Sequence, residues 1–244
     1  MTRYISTVIY ILFVIVGSAA FLSIAGIRVG LIAPLSGFLM IKTTVIAAFF
    51  LCFLSVLGYF LNKNKQEFEV KRFYLLCFLV SFIYSVLWLS FHYQRSQLPK
   101  INDIVTNVDR PLMYIRVADL RHTDDNDVAY SDGFAVQQQK YYPEITSLYL
   151  DEKSDEVFKK VLELVQAKSW DVVSLYPSEG VVEATATTPV FWFMDDVVIR
   201  VKSTEKGTRV DMRSSSRIGR GDYGTNARRV KIFLKKLEDS VKFP

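Results

Sequence analysis

Residues 197–217 read VVIRVKSTEKGTRVDMRSSSR, two alternating apolar/polar runs on either side of Glu205-Lys206-Gly207. Period-two alternation broken by a glycine turn is the pattern of an antiparallel hairpin. Chemistry sets the register, because a slip of one residue moves every side chain to the wrong face. Pairing Val201 with Val210 and Ile199 with Met212 gathers the apolar groups on one face. The other face then sets Arg200 opposite Asp211 and Val198 opposite Arg213.

Upstream, Trp170–Tyr176 and Val181–Thr188 flank the turn Pro177-Ser178-Glu179-Gly180. Leu175 with Val182 and Val173 with Ala184 are apolar pairs, and Ser174 with Glu183 and Val172 with Thr185 lie behind them. Thr146–Leu150 is a further short strand. Ser154 opens a helix as its N-cap, and Val157, Phe158, Val161, Leu162, Leu164 and Val165 form that helix's apolar face. The last helix, from about Asp222 to Val241, buries Ala227, Val230, Phe233, Leu234, Leu237 and Val241. The order βαββββα predicts an α+β two-layer domain over residues 144–244. It has an antiparallel sheet of about four to five strands with two helices on one face. Val190–Met194 is expected to close its core; the alternative is a dip into a bilayer. Residues 94–143 hold no sustained period and read as an extended strap or linker crossing the polar face.

Residues 1–93 are of another kind. Apolar runs at about 5–27, 38–61 and 73–91 each match the roughly 20 residues of a bilayer-spanning helix. Gly17-Ser18-Ala19-Ala20 could close a signal peptide, but apolar residues continue to Ile27, which favours an uncleaved helix. The short second loop carries Lys63, Lys65, Lys71 and Arg72, against Arg28 alone in the first. Basic loops stay cytoplasmic. The expectation is therefore a multi-pass inner-membrane protein with a cytoplasmic N-terminus and a periplasmic C-terminal domain. The first 93 residues hold seven basic and two acidic groups, which is the whole net charge of +5, and the rest balances. Basicity here marks membrane flanks, and nucleic acid is excluded as the partner. Within the tail, residues 94–199 are acidic and residues 200–244 basic.

Several motifs carry no chemistry. Gly219–Gly224 spells GxGxxG, but no second strand follows to complete a dinucleotide-binding unit. The acidic loop His122–Asp127 lacks calcium-loop spacing. Cys52 and Cys77 both sit in apolar runs, the tail has no metal-ligand set, and Ser214–Ser216 have no evident base. No metal or cofactor is implied. The candidate ligand site is an anion or partner site of Arg200, Asp211, Arg213, Ser214, Ser216, Arg217, Asp222, Asn226 and Arg229, around the start of the last helix. In the competing reading Asp222 caps that helix and the arginines pair with Asp195, Asp196 and Asp211.

A resemblance joins these pieces. Glu183-Ala-Thr-Ala-Thr-Thr188, Phe191-x-Phe193-x-Asp195-Asp196-Val197-x-Ile199-Arg200 and Arg209-Val-Asp211-x-Arg213-Ser214-x-Ser216-Arg217-x-Gly219 resemble the bacterial family called domain of unknown function 1499. Asp222-x-Gly224-x-Asn226-Ala227-x-Arg229 extends the likeness, which covers about residues 100–240. Family members often carry a cysteine early in this region, and Lys100–Thr106 has none. The resemblance implies a membrane-anchored envelope protein and supplies no mechanism. Function is thus expected to be binding or scaffolding at the envelope rather than catalysis. The partners would be the lipid bilayer and an anionic lipid, cell-wall polymer or envelope protein. One alternative is an enzyme acting on envelope lipid or polymer through Arg213, Ser216, Arg217 and Asn226. The other is a purely structural constellation.

Overall fold

A computed structural model of the chain describes residues 2–62 and 68–242. It forms two compact units, Met1–Arg95 with Val190–Trp192, and Ser96–Pro189 with Phe193–Pro244.

The first unit is helical: α1 (Thr2–Arg28), α2 (Pro34–Leu61) and α3 (Phe68–Ser96). All three are long and apolar enough to cross a membrane, and the chain is a membrane protein. Each helix runs past the apolar run that predicted it, because backbone hydrogen bonding does not stop where the hydrocarbon would. Pro34 sits at the first turn of α2, where its missing N–H costs nothing. Between helices an apolar cluster of Ile9, Tyr74 and Cys77 is joined by polar contacts, which serve where lipid and side chain are equally apolar. The Thr44 and Tyr84 hydroxyls lie 2.8 Å apart. Asn62 donates to the Gly58 carbonyl at 2.9 Å and to the Tyr74 hydroxyl at 3.3 Å. Lys63 and Lys65, which carry much of the orientation argument, lie outside the described residues.

The second unit is an antiparallel sheet with helices. Its strands are β1 (Asp103–Val105), β2 (Leu148–Leu150), β3 (Asp171–Tyr176), β4 (Val181–Thr187), β5 (Met194–Thr204) and β6 (Gly207–Ser216). The spatial order is β1-β6-β5-β4-β3, and β2 shares with β1 the outer edge of β6. The helices are α4 (Asp132–Tyr141), α5 (Ser154–Ala167) and α6 (Thr225–Lys242). The β5–β6 register is the one that chemistry requires, with Arg200 opposite Asp211 and Val201 opposite Val210. Gly207 (φ 124°) makes the turn, and a Cβ there would stand 2.2 Å from the Leu150 carbonyl oxygen.

On one face α5 and α6 cover Val182, Ala184, Val197, Ile199, Val201, Val210 and Met212. Val157, Val161 and Val165 of α5 and Val230, Phe233 and Leu237 of α6 are fully buried there. Trp170 stacks on Phe233 with ring centroids 5.5 Å apart. Burying each such side chain is worth about 1.5–3 kcal/mol, which makes this layer the thermodynamic floor of the domain.

The structure departs from expectation at four places. The β3–β4 pairing holds at Leu175–Val182 and Ser174–Glu183, but a bulge at Val173 brings Val172 opposite Ala184 and Asp171 opposite Thr185. Residues 94–143 are more than a strap, since they supply β1 and α4 and raise the sheet to six strands. A three-residue strand and a helix containing Gln137-Gln138-Gln139 are too short and too polar to show a period. Gln138 does the edge work: it accepts from the Val105 N–H at 3.0 Å and donates to the Val105 carbonyl at 2.6 Å, closing β1 as a neighbouring strand would. Ser154 is the first residue of α5 and leaves the helix uncapped by its side chain, its hydroxyl lying 2.8 Å from that of Ser203. Finally, Val190 and Trp192 are exposed and stand apart from the domain core.

Candidate functional site

Side chains alternate across a strand, and along β6 this splits the candidate site residues. Asp211, Arg213 and Ser215 point away from the helices, with Arg217 just beyond; Ser214 and Ser216 point toward α6. The sheet therefore separates Arg200, Asp211, Arg213 and Arg217 from Ser214, Ser216, Asp222, Asn226 and Arg229. The grouping of Arg213, Ser216, Arg217 and Asn226 is not brought together.

Under α6, Ser214 donates to Asn226 Oδ1 at 2.6 Å, and Asn226 Nδ2 donates to Ser216 Oγ at 2.9 Å and to the Asn102 carbonyl at 3.0 Å. Arg229 reaches Ser214, Asn226 and the buried Asp195 carboxylate. Asp222 accepts from the N–H groups of Gly224 (2.8 Å) and Asn226 (2.6 Å) and so caps α6. Burial pushes the Asp222 carboxyl above its ordinary value, against the pull of those two N–H bonds. The anion-binding end of α6 is filled by the chain's own carboxylate.

On the opposite face residues 112–128 lie over the sheet and are tied to it by charge. Asp196, fully buried, accepts from Arg121 Nε at 2.9 Å, Arg217 Nη2 at 2.9 Å and Thr185 at 3.0 Å. Arg121 also donates to Ser215 Oγ (2.6 Å), which lies 2.8 Å from the Tyr114 hydroxyl. Arg213 makes a two-pronged pair with Asp103 (3.1 and 2.7 Å) and donates to the carbonyls of Leu112 (2.7 Å) and Val128 (2.6 Å). Its guanidinium lies against the rings of Tyr114 and Tyr130, 4.7 and 5.8 Å from their centroids. Burial raises the Asp103 carboxyl and Arg213 opposes this; on the Arg213 side Asp103 outweighs burial and holds the cation protonated. Burial also pushes the Asp211 carboxyl up, but hydrogen bonds from Arg209, Ser147 and Arg200 outweigh it and hold the group below the usual range.

Among the described residues no cation pairs with Glu183. Its buried carboxylate accepts from the backbone N–H groups of Ile115 (2.5 Å), Arg116 (2.8 Å) and Val117 (3.2 Å), and from Ser174 Oγ at 2.7 Å. The covering segment wraps a turn around this carboxylate, as backbone nests wrap anions. Leu112, Tyr114 and Val117 then pack on Val181 and Val198.

Asp103 enters the sequence reading only through a weaker family likeness that also takes in Thr106, Asp109 and Pro111, with no role in the site. Tyr114 and Arg121 are missed. All three lie where no period could place them. The sequence trace of their role is the acidic surplus before residue 200 and the basic surplus after it.

A cavity of about 460 Å³ opens beside the β1 end of β6. Its buried side is formed by Asn102, Asp103, Ser215 and Ser216. The outer side carries Asn126, Asp127, Tyr130, Ser131, Phe134 and Arg220. Asp127 accepts from the Ala129 N–H at 2.9 Å. Asp127 and Arg220 form no ion pair among the described residues, in contrast to the largely buried arginines Arg121, Arg213, Arg217 and Arg229. Nothing in the cavity wall joins a nucleophile to a base.

The model of one protein family, described as a protein of unknown function (DUF1499), matches residues 119–237. That span takes in Arg121, Glu183, Asp195, Asp196, Asp211, Arg213, Arg217 and Asn226, and leaves out Asp103 and the membrane helices. No curated protein matches the chain.

Proposed function

Through residues 119–237 the chain belongs to the DUF1499 family, and on that footing we propose that it is a membrane-anchored binding protein of the bacterial envelope. Its C-terminal domain faces the extracytoplasmic side, and the arginine–carboxylate lattice is a frame, with the ligand-facing surface at the cavity beside Arg220. One observation carries this reading. Arg200, Arg209, Arg213, Arg217 and Arg229 are paired with Asp211, Asp103, Asp196 and Asp195, whereas Asp127 and Arg220 stand at an open cavity without ion-pair partners among the described residues. The lattice is thus the structural element, and binding falls to the cavity. The basic loop between the second and third apolar runs supports the orientation.

Two measurements test it. A periplasm-dependent reporter fused after Pro244 is expected to be active; activity confined to a cytoplasm-dependent reporter overturns the orientation. For binding, the intact protein is purified from membranes beside Ala129→Trp, which enlarges an exposed residue of the cavity wall and fills the cavity. Bound lipids, polymers and proteins are then identified by mass spectrometry. A species retained by the parent and lost from the variant supports the assignment, and identical profiles refute it.

A further inference from the structure

We infer that the cavity beside β1 takes a neutral polyhydroxylated ring, a pyranose, either free or as a unit of an envelope glycan; this rests on the binding reading above. Charge decides first. Asp103 on the buried side is neutralised by Arg213, and the charge of Asp127 is offset by the opposite charge of Arg220 on the outer wall. A wall without net charge does not select a phosphate or a carboxylate.

Hydrogen-bonding capacity decides next. Asp127 accepts only, Arg220 donates only, Ser131 carries both functions, and Asn126 offers its amide oxygen as an acceptor, its Nδ2 already donating to the Ser216 and Gly219 carbonyls at 2.9 Å each. Ser131 precedes α4 without capping it, so its hydroxyl is not committed to the helix end. A ring bearing several hydroxyls, each donor and acceptor, matches this mixture better than a peptide or an acyl chain. Tyr130 and Phe134 supply the third element, an aromatic wall for the C–H face of such a ring. Tyr130 is held in place, its hydroxyl donating to Gln138 at 3.1 Å and its ring facing Arg213. Fixed partners lower the ordering cost of binding. The volume of about 460 Å³ is within the roughly 300–1,000 Å³ of small-molecule clefts.

The test uses the full chain in nanodiscs and isothermal calorimetry. The probes are glucose, N-acetylglucosamine, a soluble oligosaccharide of N-acetylhexosamines, a glycolipid placed in the disc, and inorganic phosphate. Saturable heat with a free sugar or the oligosaccharide is expected. Asp127→Ala should weaken it by at least about tenfold, the scale of one hydrogen bond to a charged group. Binding of the glycolipid alone assigns the source to a lipid-linked glycan and keeps the chemistry. Should Asp127→Ala fold poorly, Ala129→Trp serves instead and must abolish the heat. Phosphate binding that depends on Arg220, with no sugar binding, overturns the ligand class and leaves the binding reading intact. Silence from every probe overturns the sugar assignment; if the membrane-extract profile of Ala129→Trp is also unchanged, the binding reading falls with it.

Discussion

The two faces of the sheet are covered by different physics. On one, α5 and α6 lay apolar stripes over β4–β6, and on the other an irregular segment is fastened by carboxylates, arginines and backbone N–H groups. The helical cover is non-directional: any residue of about the right size and polarity contributes. The irregular cover is directional, and each group depends on a partner with one position and one charge. Removing atoms should therefore behave differently on the two sides.

Arg213→Ala is expected to have the largest effect, about 3–5 kcal/mol, because it strands Asp103 as a buried unpaired charge. Denaturant unfolding of the intact protein in detergent checks this. Combining Asp103→Leu with Arg213→Met should recover most of the loss, since a buried pair is often replaceable by apolar groups of similar volume. Phe233→Ala, on the helical side, should cost a similar ~3–5 kcal/mol as a cavity, and no second substitution chosen by charge should restore it. Rescue on the helical side alone would reverse the distinction. Glu183→Ala should cost about 2–3 kcal/mol by leaving backbone donors buried without an acceptor, with faster amide exchange at Ile115–Val117 as the local readout. Asp222→Ala removes the cap of α6 and should cost about 1 kcal/mol in the same unfolding measurement.

The smallest effect is on pH. The Asp211 carboxyl is lowered in the fold by Arg209, Ser147 and Arg200, so its contribution is complete above its unfolded value of about 3.9. It is lost as pH falls through the lower folded value. The stability difference between the parent and Asp211→Asn should be constant near neutrality and shrink below about pH 4. A difference that grows on acidification would contradict the lattice around Asp211.

The contrast also explains what could be read in advance. The β5–β6 register was legible because alternation and a glycine turn are local properties, and the buried faces of α5 and α6 repeat with the helix. The bulge at Val173 was not legible, since it depends on what β4 must present to β5. Nor were β1 and α4, whose three strand residues and glutamines carry too little pattern. The candidate site was read as one cluster because Arg213, Ser214, Ser216 and Arg217 are neighbours in sequence. Period two sends them to opposite faces. That Asp103 answers Arg213 is a fact about tertiary space, and only the acidic and basic halves of the tail hinted at such a match.

Asp103 and Arg213 are 110 positions apart, and this separation sets a clock. At about 5–20 residues per second, a growing chain exposes the carboxylate roughly 5–20 s before the guanidinium exists. For that interval Asp103 has no cation, although Glu183 and Asp196, made earlier, can already hold Ile115–Val117 and Arg121. The fastening of the covering segment is therefore complete only once β6 has been made. Release of the final hairpin is the event that closes it.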